Sequence, residues 1–142
     1  DISLTIAGKG LPKSLQSKII QLDRIQYLGF VEDIDAFLSS QLLMVAPIEI
    51  GAGLKMKIPH ALSCGTAVLT TDVGAEGIEI HPSEGMVVSS VESMADKAKE
   101  LMMDEINLSN LGTKGKKAVE SLYSESVIIS KLEALYNSVT LA

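Results

Sequence analysis

The stretch Ile48-Glu49-Ile50-Gly51-Ala52-Gly53-Leu54-Lys55-Met56-Lys57-Ile58-Pro59-His60-Ala61 gathers residue types that hold anionic groups. Gly51 and Gly53, one residue apart, let the backbone approach a ligand and aim N–H groups at it. A helix starting near Ile58 would add unpaired N–H groups and a partial positive charge. Lys55 and Lys57 bring two cations to the same place. That combination could cradle a diphosphate. The same residues also suit a tight turn flanked by two solvated lysines, and spacing alone does not separate the two readings.

Two other glycine-bearing stretches carry less. Gly8-Lys9-Gly10 repeats the Gly-x-Gly spacing, but the dinucleotide fingerprint needs a third glycine at the sixth position, where Lys13 stands. No Gly-Lys-Ser/Thr follows a spaced glycine, so the P-loop is absent as well. A turn at a strand end accounts for Gly8 to Gly10 in plain terms. Asp72-Val73-Gly74-Ala75-Glu76-Gly77 offers two carboxylates that either contact a sugar or shape a turn. His60 and His81 find no third member for a Ser–His–acid set. Cys64 is the single cysteine, which excludes an internal disulfide and a four-cysteine zinc site. It is expected to pack as a small apolar residue. The residues therefore assign neither a catalytic group nor a metal ligand.

Composition narrows the partners. A net charge of −6 with no run of Lys or Arg argues against a nucleic-acid surface, which gains affinity by releasing counterions from phosphates. With no Trp and only two Phe, the chain also lacks an aromatic platform for single strands. Apolar residues form 46% of 142 residues, enough for a packed core. No apolar run approaches the ~20 residues of a membrane span. The implied compartment is the cytoplasm or the cytoplasmic face of a membrane. Asp1-Ile2-Ser3-Leu4-Thr5-Ile6 opens directly in strand-like alternation without an initiating Met, as expected of a cut inside a longer protein.

The elements that would position these loops alternate along the chain. Ile2, Leu4 and Ile6 predict a strand, Pro12 a helix start, and Leu15, Ile19 and Leu22 one apolar helical face. A short strand over 25–28 is followed by a helix capped by Asp33. The continuous run Leu42 to Ala46 predicts a central parallel strand covered on both faces. A helix near 59–64, a strand over 67–71 and a short strand over 86–88 come next. Ser89 and Glu92 form a capping box for a helix bearing Met94, Ala98 and Leu101. A later helix is weakened by Gly112 and Gly115, and Ser124 caps the last. This order predicts one α/β domain over 1–142, a doubly wound parallel sheet with ligands at the carboxyl ends of its strands.

The segment VAPIEIGAGLKMKIPHALSCGTAVLTTDVGAEGI resembles the donor-binding core of GT-B fold glycosyltransferases in the glycosyl transferases group 1 family. One branch reads P-x-x-x-G-A-G-x-R-x-K-x-x-E-A-x-A-x-G-x-P-V-V-x-T-x-x-G-x-E-G. Pro47, Gly51, Ala52, Gly53, Lys57, Ala61, Gly65, Val68, Thr70, Gly74, Glu76 and Gly77 keep that register. LTIAGKG, IQYLGFVED and VESLYSESVIISKLEALY are similar to the flanking strands and closing helices, so the likeness spans nearly the whole chain.

The resemblance implies the C-terminal, Rossmann-like half of a two-domain enzyme that transfers a sugar from a nucleoside diphosphate sugar, UDP- or GDP-linked, with retention. It implies no cofactor and no metal. Gly51, Ala52 and Gly53 would face the donor's sugar and phosphates, with Lys55 replacing the usual Arg and Lys57 beside it. Gly8, Lys9 and Gly10 would lie near the phosphates, and Phe30 and Val31 would border the base. His60 stands where the family has a Glu that accepts from the ribose hydroxyls; a neutral imidazole has one acceptor nitrogen and cannot take both. The family's opening strand and helix with G-R-x-x-x-x-K-G have no match here, nor does the acceptor domain. The chain alone is thus expected to bind donor weakly and to transfer nothing, and membrane association of the full-length protein stays open. A scaffold or sensor of nucleotide sugars is the non-enzymatic alternative, prompted by His60. Epimerases and dinucleotide-binding modules share the fold class but not this central pattern.

Overall fold

The computed structural model describes residues 2–140; Asp1 of the opening strand-like run lies outside them. The described residues form five strands and seven helices that alternate as far as the last strand and its following helix, and every strand pair is parallel, as the βα order requires. The chain divides into two compact units, residues 1–37 and 38–142.

In the first unit, β1 (Leu4–Ala7) pairs with β2 (Ile25–Gly29) through the crossover helix α1 (Lys13–Ile19). The register shifts between Ile6 and Ala7, at the strand's carboxyl end. Pro12 precedes the first turn of α1, where its missing N–H costs nothing. Asp33 Oδ1 accepts from the Ala36 N–H at 2.9 Å, so the predicted cap of α2 (Ile34–Ser39) forms. Helix α2 carries the chain across the division between the units.

The second unit is built on a sheet of order β3-β4-β5, from β3 (Leu43–Ala46), β4 (Ala67–Thr70) and β5 (Met86–Val88). The apolar run over 42–46 predicts β3 as the central strand, but β4 holds that place in this sheet. All four residues of β4 are buried, whereas β3 pairs along one edge among the described residues and leaves Val45 exposed. Helices α3 (Lys57–Ser63), α5 (Val91–Met102) and α6 (Glu105–Tyr123) pack on β4. Ala67, Leu69, Met94, Leu101 and Leu108 form one buried cluster. Fully burying each large side chain there contributes about 1.5–3 kcal/mol. The last helix, α7 (Glu125–Thr140), has no buried residue among those described.

The two glycines expected to weaken α6 instead permit its packing. A Cβ on Gly112 would sit 2.0 Å from the Gly65 carbonyl oxygen, and one on Gly115 would meet Leu62 at 2.7 Å. Helix α6 thereby reaches the turn before β4 at backbone distance. The α5 cap falls one residue later than the sequence suggests: Ser90, not Ser89, accepts from the Ser93 N–H. The glycine stretch after β4 coils into a one-turn helix, α4 (Asp72–Ala75), capped by Thr71.

Candidate functional site

The loop after β3 begins under tight control. The Ala46 carbonyl accepts from the Ile48 N–H at 2.9 Å and from the Thr70 hydroxyl at 3.0 Å. The Thr71 hydroxyl donates to the Ile48 carbonyl and accepts from the Gly74 N–H, joining the loop start to the cap of α4. Gly74 is required there, since a Cβ would lie 2.0 Å from Thr70 Oγ1. These threonines went unnoticed as site-shaping residues in the sequence. A Thr closing a strand just ahead of Asp72 is an N-cap signal that could have marked Thr71.

Past that anchor the loop opens. None of the backbone N–H groups from Glu49 to Met56 donates a hydrogen bond among the described residues. Gly51 and Gly53 take positive φ angles, +148° and +73°, and all of residues 49–53 are exposed. Lys57 is exposed at the first position of α3, ahead of the Ile58 and His60 N–H groups, which donate to the Lys55 and Met56 carbonyls at 2.9 and 3.1 Å. His60, one turn on, is half-buried. Pro59 falls within the first turn of α3, where its missing N–H is no loss.

Lys55 behaves differently from Lys57. Its side chain is only 9% exposed, and Nζ donates to Glu76 Oε2 at 3.0 Å and more weakly to the Gly51 carbonyl at 3.4 Å. The structure thus brings together Gly51, Ala52, Gly53, Lys55, Lys57 and His60, and adds Glu76 from 21 residues further along. Cys64, expected to be buried, is a half-buried free thiol.

A cleft of about 240 Å³ opens at the carboxyl ends of β3, β4 and β5, lined by Glu49, Thr71, Asp72, Ser89 and Glu92 among others. This is the end of a parallel sheet at which ligands bind. The Glu92 carboxyl at this cleft has a lowered pKa. Hydrogen bonding to its own backbone N–H, then to the Ser90 hydroxyl, holds it below the ordinary value of 4.5.

Within the first unit, Gly8, Lys9, Gly10 and Phe30 also come together. Gly8 and Gly10 have φ of +137° and +88°, and the Gly8 N–H donates to the Gly29 carbonyl at 2.7 Å. The Tyr27 hydroxyl donates to the Gly8 carbonyl at 2.8 Å, fixing that turn. The Lys9 ammonium stands 4.0 Å from the centroid of the exposed Phe30 ring, a cation–π contact. Val31 is half-buried.

The class these features define is a Rossmann-like α/β protein of the kind found in GT-B glycosyltransferases. The family model for "Glycosyl transferases group 1" matches residues 1–104, and the chain belongs to that family. Sucrose-phosphate synthase from Thermosynechococcus elongatus is similar in structure at 19% identity and TM-score 0.80, over 98% of this chain and 39% of that one. Anabaena Alr3699/HepE, solved in complex with UDP, is similar at 18% identity and TM-score 0.78, over 96% and 41%. The C-terminal domain of a glycosyl transferase group 1 family protein (LpcC) from Francisella tularensis follows at 24% identity and TM-score 0.65, over 80% and 62%. The chain spans about two fifths of the length of the first two. No curated protein matches the chain by sequence. Among the described residues no helix is long and apolar enough to cross a membrane.

Proposed function

We propose that this chain is the nucleotide-sugar-binding part of a glycosyltransferase that moves a sugar from a nucleoside diphosphate donor to an acceptor. The observation that carries the reading is the run of undonated N–H groups around Gly51 to Gly53, leading into the N-terminus of α3 beside Lys57. Such an array suits a diphosphate, whose charge grows as the sugar departs. Fixed N–H dipoles and cations stabilise that charge without reorganising. No metal and no cofactor enter this account. Alr3699/HepE has been solved with UDP and with UDP-glucose, which supports a uridine donor as the first to try.

By the family resemblance, Lys55 adds positive charge at the loop and His60 meets the ribose. Gly8, Lys9 and Gly10 serve the phosphates, and Phe30 with Val31 the base. The transfer proceeds with retention and needs an acceptor-binding domain, so the 142-residue chain binds donor weakly and transfers nothing alone. The cytoplasm, or its membrane face, is the compartment that fits. Replacing both Lys55 and Lys57 by Ala in the full-length protein should lower donor turnover at least tenfold, about the effect of losing one charged hydrogen bond. Unchanged turnover would sink the cradle.

His60 favours a second reading, a glycosyltransferase-like scaffold or sensor without activity. His60→Glu in the full-length protein separates the two. A steep rise from negligible turnover identifies the scaffold, whereas little change or a loss identifies an enzyme adapted to histidine.

A further inference from the structure

We propose that Glu76 is a positioning residue of the donor site, acting through Lys55 to aim the glycine loop; this rests on the donor-binding reading above. Lys55 is the cation that spacing would assign to a phosphate, yet its ammonium is drawn inward. It is 9% exposed, with the Glu76 carboxylate at 3.0 Å and the Gly51 carbonyl at 3.4 Å. Its aliphatic stem lies beneath the loop, with Cε 3.6 Å from where a Gly51 Cβ would project. The same two segments also lie close at Gly77, where an added Cβ would come within 3.8 Å of Leu54 Cδ1.

The peptide plane supplies the consequence. In a trans peptide the C=O and the following N–H point in opposite directions. Drawing the Gly51 carbonyl toward Lys55 turns the Ala52 N–H away from it, and that N–H has no acceptor among the described residues. Glu76 holds Lys55 in place by a charge-assisted hydrogen bond. Glu76 is itself 60% exposed, so the pair adds little to overall stability. Its effect falls on where the loop's donors point. The direct donor contacts then come from the Ala52 amide, its neighbours and Lys57, with Lys55 one step behind them.

A direct phosphate cation and a positioning pair respond oppositely to loss of the carboxylate. If Lys55 bound phosphate itself, Glu76 would compete with the ligand, and Glu76→Gln would tighten binding. For a positioning pair, Glu76→Gln and Lys55→Met each weaken binding by about tenfold, and the double variant loses no more than either single one. The experiment follows backbone amide signals of the labelled chain, titrated with whichever of UDP and GDP shifts the wild-type spectrum. Melting curves check that each variant folds. Unchanged or tighter nucleotide binding by Glu76→Gln overturns the proposal. If neither nucleotide shifts the wild-type spectrum, the donor-binding reading falls, and the free protein decides the rest. Displaced amide signals of Gly51 to Gly53 in Glu76→Gln uphold the strut, and unmoved signals overturn it.

Discussion

At the scale of single residues, the candidate site depends on polar atoms with more than one partner. Thr71 joins the loop start to α4 with one hydroxyl, and Lys55 joins the loop to Glu76 with one ammonium. The glycines and lysines of the loop are legible in sequence because their types and spacing are local. The Lys55–Glu76 pair is not, since 21 residues of chain separate its members and only the tertiary fold brings them to 3.0 Å. A Lys beside two glycines therefore reads as a free cation until its partner is seen. Glu92 carries the prediction that belongs at this scale. Its folded-state pKa is lowered, so its contribution to stability is present above the ordinary value of 4.5 and is lost as pH falls through the lower folded value. Urea midpoints measured from neutrality downward should fall more steeply in that window for the wild type than for Glu92→Gln. Parallel curves would count against the hydrogen bonds that Glu92 accepts from its own N–H and from Ser90.

At the scale of elements, glycines define where helices approach. Gly→Ala inside a solvent-facing helix ordinarily gains about 1 kcal/mol. In α6 the sign reverses: Gly112→Ala places a methyl group against the Gly65 carbonyl, 2.0 Å away, and overpacking of this kind costs about 1–3 kcal/mol. A urea unfolding curve showing a more stable Gly112→Ala variant would contradict the packing described for α6 and β4. Periodicity predicts this helix but reads its glycines as weaknesses, because a propensity scale contains no neighbour across the interface. The shift of the α5 cap from Ser89 to Ser90 has a similar cause. Two adjacent serines are equivalent in sequence, and only the point at which β5 ends selects between them. The run over 42–46 misleads for a third reason. Uniform apolarity marks burial, and burial here is deepest in β4, whose sequence Ala67-Val68-Leu69-Thr70 looks less continuous.

At the scale of the whole molecule, the alternation of strands and helices was enough to fix the class, and the central glycine pattern was enough to point to the family. The division into residues 1–37 and 38–142 was not legible, because every strand in the sequence looks like a partner for every other. Among the described residues the first unit has no buried one, whereas the second holds the core around Leu69 and Leu108. The loop at Gly51 thus stands on the better-packed unit, and the donor-site account depends most on that loop. An NMR titration of the labelled chain with UDP, GDP, ADP and NAD tests the account most directly, because it registers millimolar binding. Donor binding predicts that UDP or GDP shifts the amides of Gly51 to Lys57 and His60, with NAD inert. Unmoved Gly51 to Lys57 amides with every one of the four nucleotides would contradict it.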